Sequence, residues 1–179
     1  MRVVAGTLGG RRLAVPAGRD VRPTSDRVRE ALFSSLGPLD GARVLDLFAG
    51  SGALAIEALS RGASSAVLVE HDARAAATIR ANLEALGLAQ PQVTLLVLPA
   101  AAALSTALTR GDAYDLVFLD PPYRQAPDLG ADLATSLEPL LAPGARVVTE
   151  SDRRAPLDLP LPVVHERRYG DTLIRIHTP

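Results

Sequence analysis

Asp120, Pro121, Pro122 and Tyr123 follow directly on the apolar run Leu116-Val117-Phe118-Leu119. Proline lacks an N–H and fixes φ, so two in succession end a sheet ladder. The strand therefore stops at Asp120, and the chain leaves as a stiff extended segment. A carboxylate, the Pro121 carbonyl and an aromatic ring are thereby confined to one small volume. The two oxygens can accept hydrogen bonds from an amino group, and the ring can stack on a flat base. This suits a planar substrate with an exocyclic NH2, and makes Asp120, Pro121, Pro122 and Tyr123 the candidate catalytic group. Binding residues concentrate on loops at strand ends, where this segment lies.

A second set lies upstream, in Asp46-Leu47-Phe48-Ala49-Gly50-Ser51-Gly52. Glycines at 50 and 52 permit a tight turn and close approach of a ligand to the backbone, with Phe48, Ala49 and Ser51 completing the turn. The helix that follows presents free N–H groups. Glu70 and His71 end the next apolar run, at the distance where an acid can hold ribose hydroxyls. Gly50-Ser51-Gly52-Ala53-Leu54-Ala55 alone also fits the G-x-G-x-x-A of dinucleotide enzymes. Asp46 favours S-adenosylmethionine instead: before the turn, a carboxylate attracts an α-ammonium group and repels a pyrophosphate. Asp120 opens onto the same crevice and joins the candidate cofactor contacts.

These residues need a scaffold that brings strand ends together. The pattern predicts strands over 43–47, 66–70, 93–98, 116–119 and 145–150. Helices are predicted over 52–61, 73–86, 100–108 and 128–141, the last breaking near Pro139. Strand–helix alternation implies a parallel, doubly wound sheet with helices on both faces. The tail, 163–169 and 172–177 around Gly170-Asp171, reads as an antiparallel hairpin on the sheet edge. Residues 156–162 read as a surface loop. Ahead of the sheet, Thr24 or Ser25 can cap a helix with an apolar stripe of Val28, Ala31, Leu32 and Leu36, ended by Gly37-Pro38. The first residues alternate apolar groups with glycine and proline and read as a β-hairpin arm with its arginines outward.

At 179 residues the chain is one domain with a small appendage: a basic arm over 1–24 and the main domain over 25–179. The net charge of −1 conceals an asymmetry. Residues 1–29 carry seven arginines against Asp20 and Asp26, and the rest carries twelve against eighteen acids. A basic arm on an acidic domain suggests a polyanionic partner. Arg11, Arg12, Arg22, Arg27 and Arg29, with Thr24, are the candidate contacts. All basic residues are arginine, which suits bidentate phosphate contacts. With no cysteine, disulfides, thiolate metal sites and thiol nucleophiles are excluded, and with them methylation at C5 of a pyrimidine. The three histidines are scattered, so no metal is expected. No run reaches the length of a membrane span, and the first residues lack a signal-peptide core.

Across nearly its whole length the chain resembles the RsmD-type 16S rRNA (guanine-N2)-methyltransferases, a Rossmann-like class. The resemblance rests on Gly9-Gly10-Arg11-Arg12-Leu13, Arg22-Pro23-Thr24-Ser25-Asp26-Arg27-Val28-Arg29-Glu30, the glycine turn, Glu57-Ala58-Leu59-Ser60-Arg61-Gly62-Ala63, the Asp120 tetrapeptide and Tyr169-Gly170-Asp171-Thr172. The tetrapeptide alone is common to amino methyltransferases acting on adenine, cytosine, guanine or glutamine; the Arg22-Pro23-Thr24 segment narrows the choice. The resemblance implies a class I methyltransferase fold with a seven-stranded sheet, and a monomeric cytoplasmic enzyme. It would use S-adenosylmethionine to methylate one guanine of 16S rRNA in a partly assembled 30S subunit. In one respect the chain departs from many methyltransferases. Pro99 and Ala100 stand where an acidic or amide side chain usually accepts the adenine amino group, so backbone groups must serve. Three other readings compete: an adenine- or glutamine-directed amino methyltransferase, an NAD-linked oxidoreductase, and a non-catalytic RNA-binding module.

Overall fold

The computed structural model describes residues 1–16, 25–121 and 126–179, the last without the side chains of residues 126–129. Pro122, Tyr123, Arg22 and Thr24 lie outside the described residues. The order is α1 (Asp26–Leu36), β1 (Arg43–Asp46), α2 (Ala53–Ser60), β2 (Ser65–Val69), α3 (Ala73–Leu86), β3 (Val93–Leu96), α4 (Ala100–Arg110), β4 (Tyr114–Leu119), α5 (Ala126–Leu137), β5 (Leu141–Asp152), β6 (Val163–Tyr169) and β7 (Thr172–His177). Among the described residues no helix is long and apolar enough to cross a membrane.

Seven strands form one sheet in the order β3-β2-β1-β4-β5-β7-β6. The first five run parallel, and β7 joins β5 antiparallel with β6 outside it. The strand order reverses between β1 and β4, and open α/β sheets bind ligands at the strand carboxyl ends of such a reversal. Asp46 ends β1, and Asp120 follows directly on β4.

Both faces of the sheet are buried, which explains the continuous apolar runs. Val44, Leu68, Leu116 and Phe118 face a core shared with Leu32, Phe33 and Leu36 of α1, Ile56 of α2 and Ile79 of α3. Leu45, Val69, Val117 and Leu119 face the other core, with Leu104 of α4 and Leu137 of α5. Between β5 and β6 no helix intervenes. Leu157 and Leu159 of that connection are buried against the second core instead. The expected surface loop is thus partly a plug, its leucines covering apolar area a helix would otherwise cover.

Some element bounds differ from expectation; β3, for one, ends at Leu96 rather than Leu98. β4 begins at Tyr114, because the half-buried Asp115 accepts the Arg43 N–H and side chain across the strand pair. β5 extends over Leu141–Asp152, with an irregular register against β4 between Tyr114 and Leu116. As expected near Pro139, α5 gives way to a 3-10 turn over Glu138–Leu140, since proline cannot continue an α-helix. Ser25 caps α1, its side chain accepting the Val28 N–H.

Residues 1–16 form an antiparallel pairing closed by a bridge between Arg2 and Arg12. Val3 and Leu13 point inward and are 1% and 5% exposed. The segment is fixed to α2 and α3 through its backbone. The Glu57 carboxylate accepts the N–H groups of Val4 at 2.6 Å and Ala5 at 3.0 Å and binds Arg61 at 2.7 Å. Thr7 donates its N–H to the Ser60 carbonyl at 2.8 Å, and Leu8 to the Ser60 hydroxyl at 2.9 Å. Gly6 has φ of +81°, and a Cβ there would lie 1.8 Å from the Ser60 carbonyl oxygen, so only glycine permits this approach.

Candidate active site

The glycine turn is built by the strands on either side of it. The Leu47 N–H reaches the Phe118 carbonyl at 3.1 Å, and the Ala49 N–H reaches that of Val69 at 2.9 Å. Gly52 caps α2 with φ of +79°, a left-handed conformation open to glycine. Ala49 and Ser51 are buried, and Phe48 and Gly50 are half-buried.

Glu70 braces this turn. It is 9% exposed, and accepts the Gly50 N–H at 3.0 Å through Oε2 and the Asp72 N–H at 2.8 Å through Oε1. Each carboxylate oxygen retains a lone pair for a ligand hydroxyl. His71, expected among the cofactor contacts, is largely exposed with its Nδ1 3.4 Å from Glu70 Oε1. Pro99 caps α4 without a side-chain hydrogen bond, and Ala100 is half-buried. The Ala102 and Ala103 N–H groups bond back to the Pro99 carbonyl.

Asp46 is 1% exposed, and its Oδ1 has no hydrogen-bond partner among the described residues. Burial pushes its carboxyl up to about 7; the backbone N–H groups of Ala55 and Phe48 pull the other way, and Glu70 adds a small push upward. Asp120 follows directly on β4 and is half-buried, with Pro121 buried behind it. Its carboxyl is also held well above the usual range, first by burial, then by Glu150 and by Asp46. Carboxyl groups at the ends of β1, β4 and β5 thus share one poorly solvated space. Such a cluster favours a cation.

The structure therefore draws Asp46, Gly50, Ser51, Gly52, Glu70 and Asp120 to the carboxyl ends of the central strands. A cavity of about 330 Å³, lined by Arg43, Ser65, Thr94, Arg110 and Tyr114 among others, opens at the amino ends of the strands. It is separate from the acid cluster.

The candidate RNA contacts divide. Arg12 and Arg27 are exposed. Arg11 is exposed but reaches the Ala85 carbonyl near the end of α3 at 2.7 Å. Arg29 departs from expectation: it is 0% exposed, pairs with Asp26 at 2.8 Å and donates to the Arg2 carbonyl. Its place on α1 turns it into the core beside Leu32 and Phe33, so its guanidinium cannot meet a phosphate.

Sequence reasoning passed over Glu57, which receives the Val4 and Ala5 N–H groups, and Asn82, whose buried amide binds the Ala14 backbone and the Ser51 carbonyl. Glu57 had a visible signal, since it is the lone charge in the otherwise apolar helix ALAIEALS. Asn82 had none, because an asparagine late in an amphipathic helix is ordinary.

The profile of the family described as conserved hypothetical protein 95 matches residues 1–178. A Bacillus subtilis protein provisionally named rRNA methyltransferase YlbH is 39% identical over 184 residues, covering 99% of this chain and 98% of its own. Ribosomal RNA small subunit methyltransferase D of Escherichia coli is 41% identical over 126 residues, which span 70% of this chain and 61% of that protein. The solved structure of a hypothetical protein from Thermus thermophilus is 35% identical, with a TM-score of 0.83 over 99% of this chain and 98% of that one.

Proposed function

The chain belongs to the conserved hypothetical protein 95 family, the RsmD-type methyltransferases, and on that premise we propose that it methylates the exocyclic N2 amine of one guanine in 16S rRNA. The methyl donor is S-adenosylmethionine, and the substrate is a partly assembled 30S subunit in the cytoplasm. The observation that carries the reading is the buried Asp46 with its unpartnered Oδ1 beside Asp120. A donor with a sulfonium and an α-ammonium group fits that cluster, whereas the pyrophosphate of a dinucleotide would be repelled. When bound, S-adenosylmethionine supplies a methyl group already activated on sulfur.

The protein's part is to hold and orient. Asp46 holds the α-ammonium group, and Glu70 keeps the Gly50 turn closed while its remaining lone pairs take ribose hydroxyls. The Ala100 N–H at the start of α4 serves the adenine ring. Asp120 and the Pro121 carbonyl accept the two hydrogens of the guanine amine. That amine is conjugated with its ring and nucleophilic only when drawn toward tetrahedral geometry. Most of the acceleration is orientation. Asp120 need not be a strong base, because the proton leaves after the nitrogen has gained its fourth bond. Tyr123 stacks on the base, with a contribution of about 1–3 kcal/mol. The guanine must be unstacked to enter. Residues 1–24, with Arg27 on the adjoining helix, hold the RNA backbone.

Digestion of 16S rRNA from cells with and without the gene, followed by nucleoside mass spectrometry, tests this. Loss of N2-methylguanosine is expected. Loss of N6-methyladenosine in its place would assign the site to adenine, and no change in either would remove 16S rRNA as the substrate.

A further inference from the structure

Asn82 joins two regions to which the proposed function gives different work. It lies on α3 one turn before the helix ends and is 3% exposed. Its Oδ1 accepts the Ala14 N–H at 2.8 Å, and its Nδ2 donates to the Ala14 carbonyl at 3.0 Å. The same Nδ2 donates to the Ser51 carbonyl at 2.9 Å. A side-chain amide has one carbonyl and two N–H groups, and all three are engaged. Ala14 is exposed and belongs to the segment that carries Arg11 and Arg12, so the clamp holds a surface strand by its backbone. Ser51 is the middle residue of the glycine turn, and its hydroxyl lies 3.9 Å from Met1 Sδ of the same amino-terminal segment.

We propose that Asn82 couples the cofactor turn to the RNA-contacting segment, so that occupation of one tightens the other. The inference rests on the reading of residues 50–52 as the cofactor turn and 1–24 as the RNA contact. The Ser51 carbonyl moves with the peptide plane between Ser51 and Gly52, whose N–H is held by the Ala49 carbonyl at 2.6 Å, so the carbonyl swings only as that turn opens. A ligand seated against the turn selects one orientation of the plane. In that orientation the Ser51 carbonyl fixes the Asn82 amide, which then presents both of its ends to Ala14. A turn that swings the carbonyl away leaves a buried N–H unpaired, and the clamp loosens with it. Asn82 touches neither ligand in this scheme; it is a positioning residue. The coupling is reciprocal, because linkage demands equal factors in both directions.

The test measures binding of 30S subunits, purified from cells lacking the enzyme, with and without S-adenosylhomocysteine, together with the reverse titration. In the wild-type protein each ligand is expected to tighten the other by roughly fivefold or more. In Asn82→Ala the factor is expected to fall below about twofold, while S-adenosylhomocysteine binding to the free protein stays within about threefold. A wild-type factor near one, or an Asn82→Ala variant that keeps the wild-type factor, overturns the proposal. Hydrogen exchange of the Ala14 amide in the unmodified protein provides a measurement that needs no variant. S-adenosylhomocysteine alone is expected to slow it roughly fivefold, tracking the same coupling. An unchanged rate overturns the coupling. A slowed rate in a protein that does not bind 30S subunits would instead count against the RNA reading.

Discussion

Asp46 and Asp120 lie at the ends of adjacent strands, and both resist ionisation because burial removes the water that would solvate their charge. Their roles still differ. Asp120→Ala is expected to lower kcat by about 10²-fold or more, since orientation of the amine is lost. Calorimetry should find S-adenosylhomocysteine affinity largely retained; near wild-type turnover would exclude the proposed acceptor role. In its proposed role, Asp46 is expected to carry the pH dependence of cofactor binding. Its carboxyl titrates near 7 in the free protein, and an α-ammonium group binds the ionised form. Affinity should therefore fall about tenfold per pH unit as pH drops below 7, and Asp46→Asn should flatten that profile. The effect on stability has the opposite sense. The folded value lies above the unfolded one, so the stability tied to Asp46 is fully present below about pH 4 and is lost as pH rises through 7. Asp46→Asn should raise Tm more at pH 8 than at pH 5, as scanning calorimetry would detect. The residue types were legible from sequence, but their mutual electrostatics were not. Glu150 acts on Asp120 only because β5 lies beside β4.

The elements were legible wherever one physical signal controlled them. Gly87 ends α3 in a left-handed cap, and Gly170-Asp171 closes the β6–β7 hairpin. Both bounds follow from backbone chemistry that the sequence states directly. β5 was less legible, because an irregular register carried it across Pro143 and Gly144, which suggested a later start. Residues 1–16 alternate as a hairpin should, yet their attachment could not be read from that alternation. It depends on Glu57, whose partners are more than 50 residues away in the chain. Glu57→Gln would place an amide N–H where one oxygen now accepts a backbone N–H. It is expected to destabilise the protein by about 2–4 kcal/mol. On the size scaling for a chain this long, that lowers Tm by roughly 4–16 °C.

Across the whole molecule, charge is divided between a basic first segment and an acidic remainder, but charge alone does not say which arginines are free. Arg27 and Arg29 are two residues apart on α1 and face opposite ways. Arg27→Ala should lower the slope of log K against log salt for RNA binding by about 0.7–0.9 and leave Tm nearly unchanged. Arg29→Ala should lower Tm by several degrees, because it empties a buried site, leaves Asp26 with Arg2 as its remaining ion-pair partner and removes the donor to the Arg2 carbonyl. Equal effects of the two variants on the salt slope would contradict the burial of Arg29. The docking of residues 1–16 also bears on how the chain is made. During synthesis these residues emerge before Glu57, Ser60 and Asn82, which receive them. At ordinary translation rates Val3 and Leu13 therefore wait roughly 4–16 s for α3 before they can be covered. The segment proposed to contact RNA is thus, in the nascent chain, a hairpin whose Val3 and Leu13 have no core to cover them. Covering of Val3 and Leu13 on the ribosome is therefore expected to raise the fraction of chains that reach the folded form.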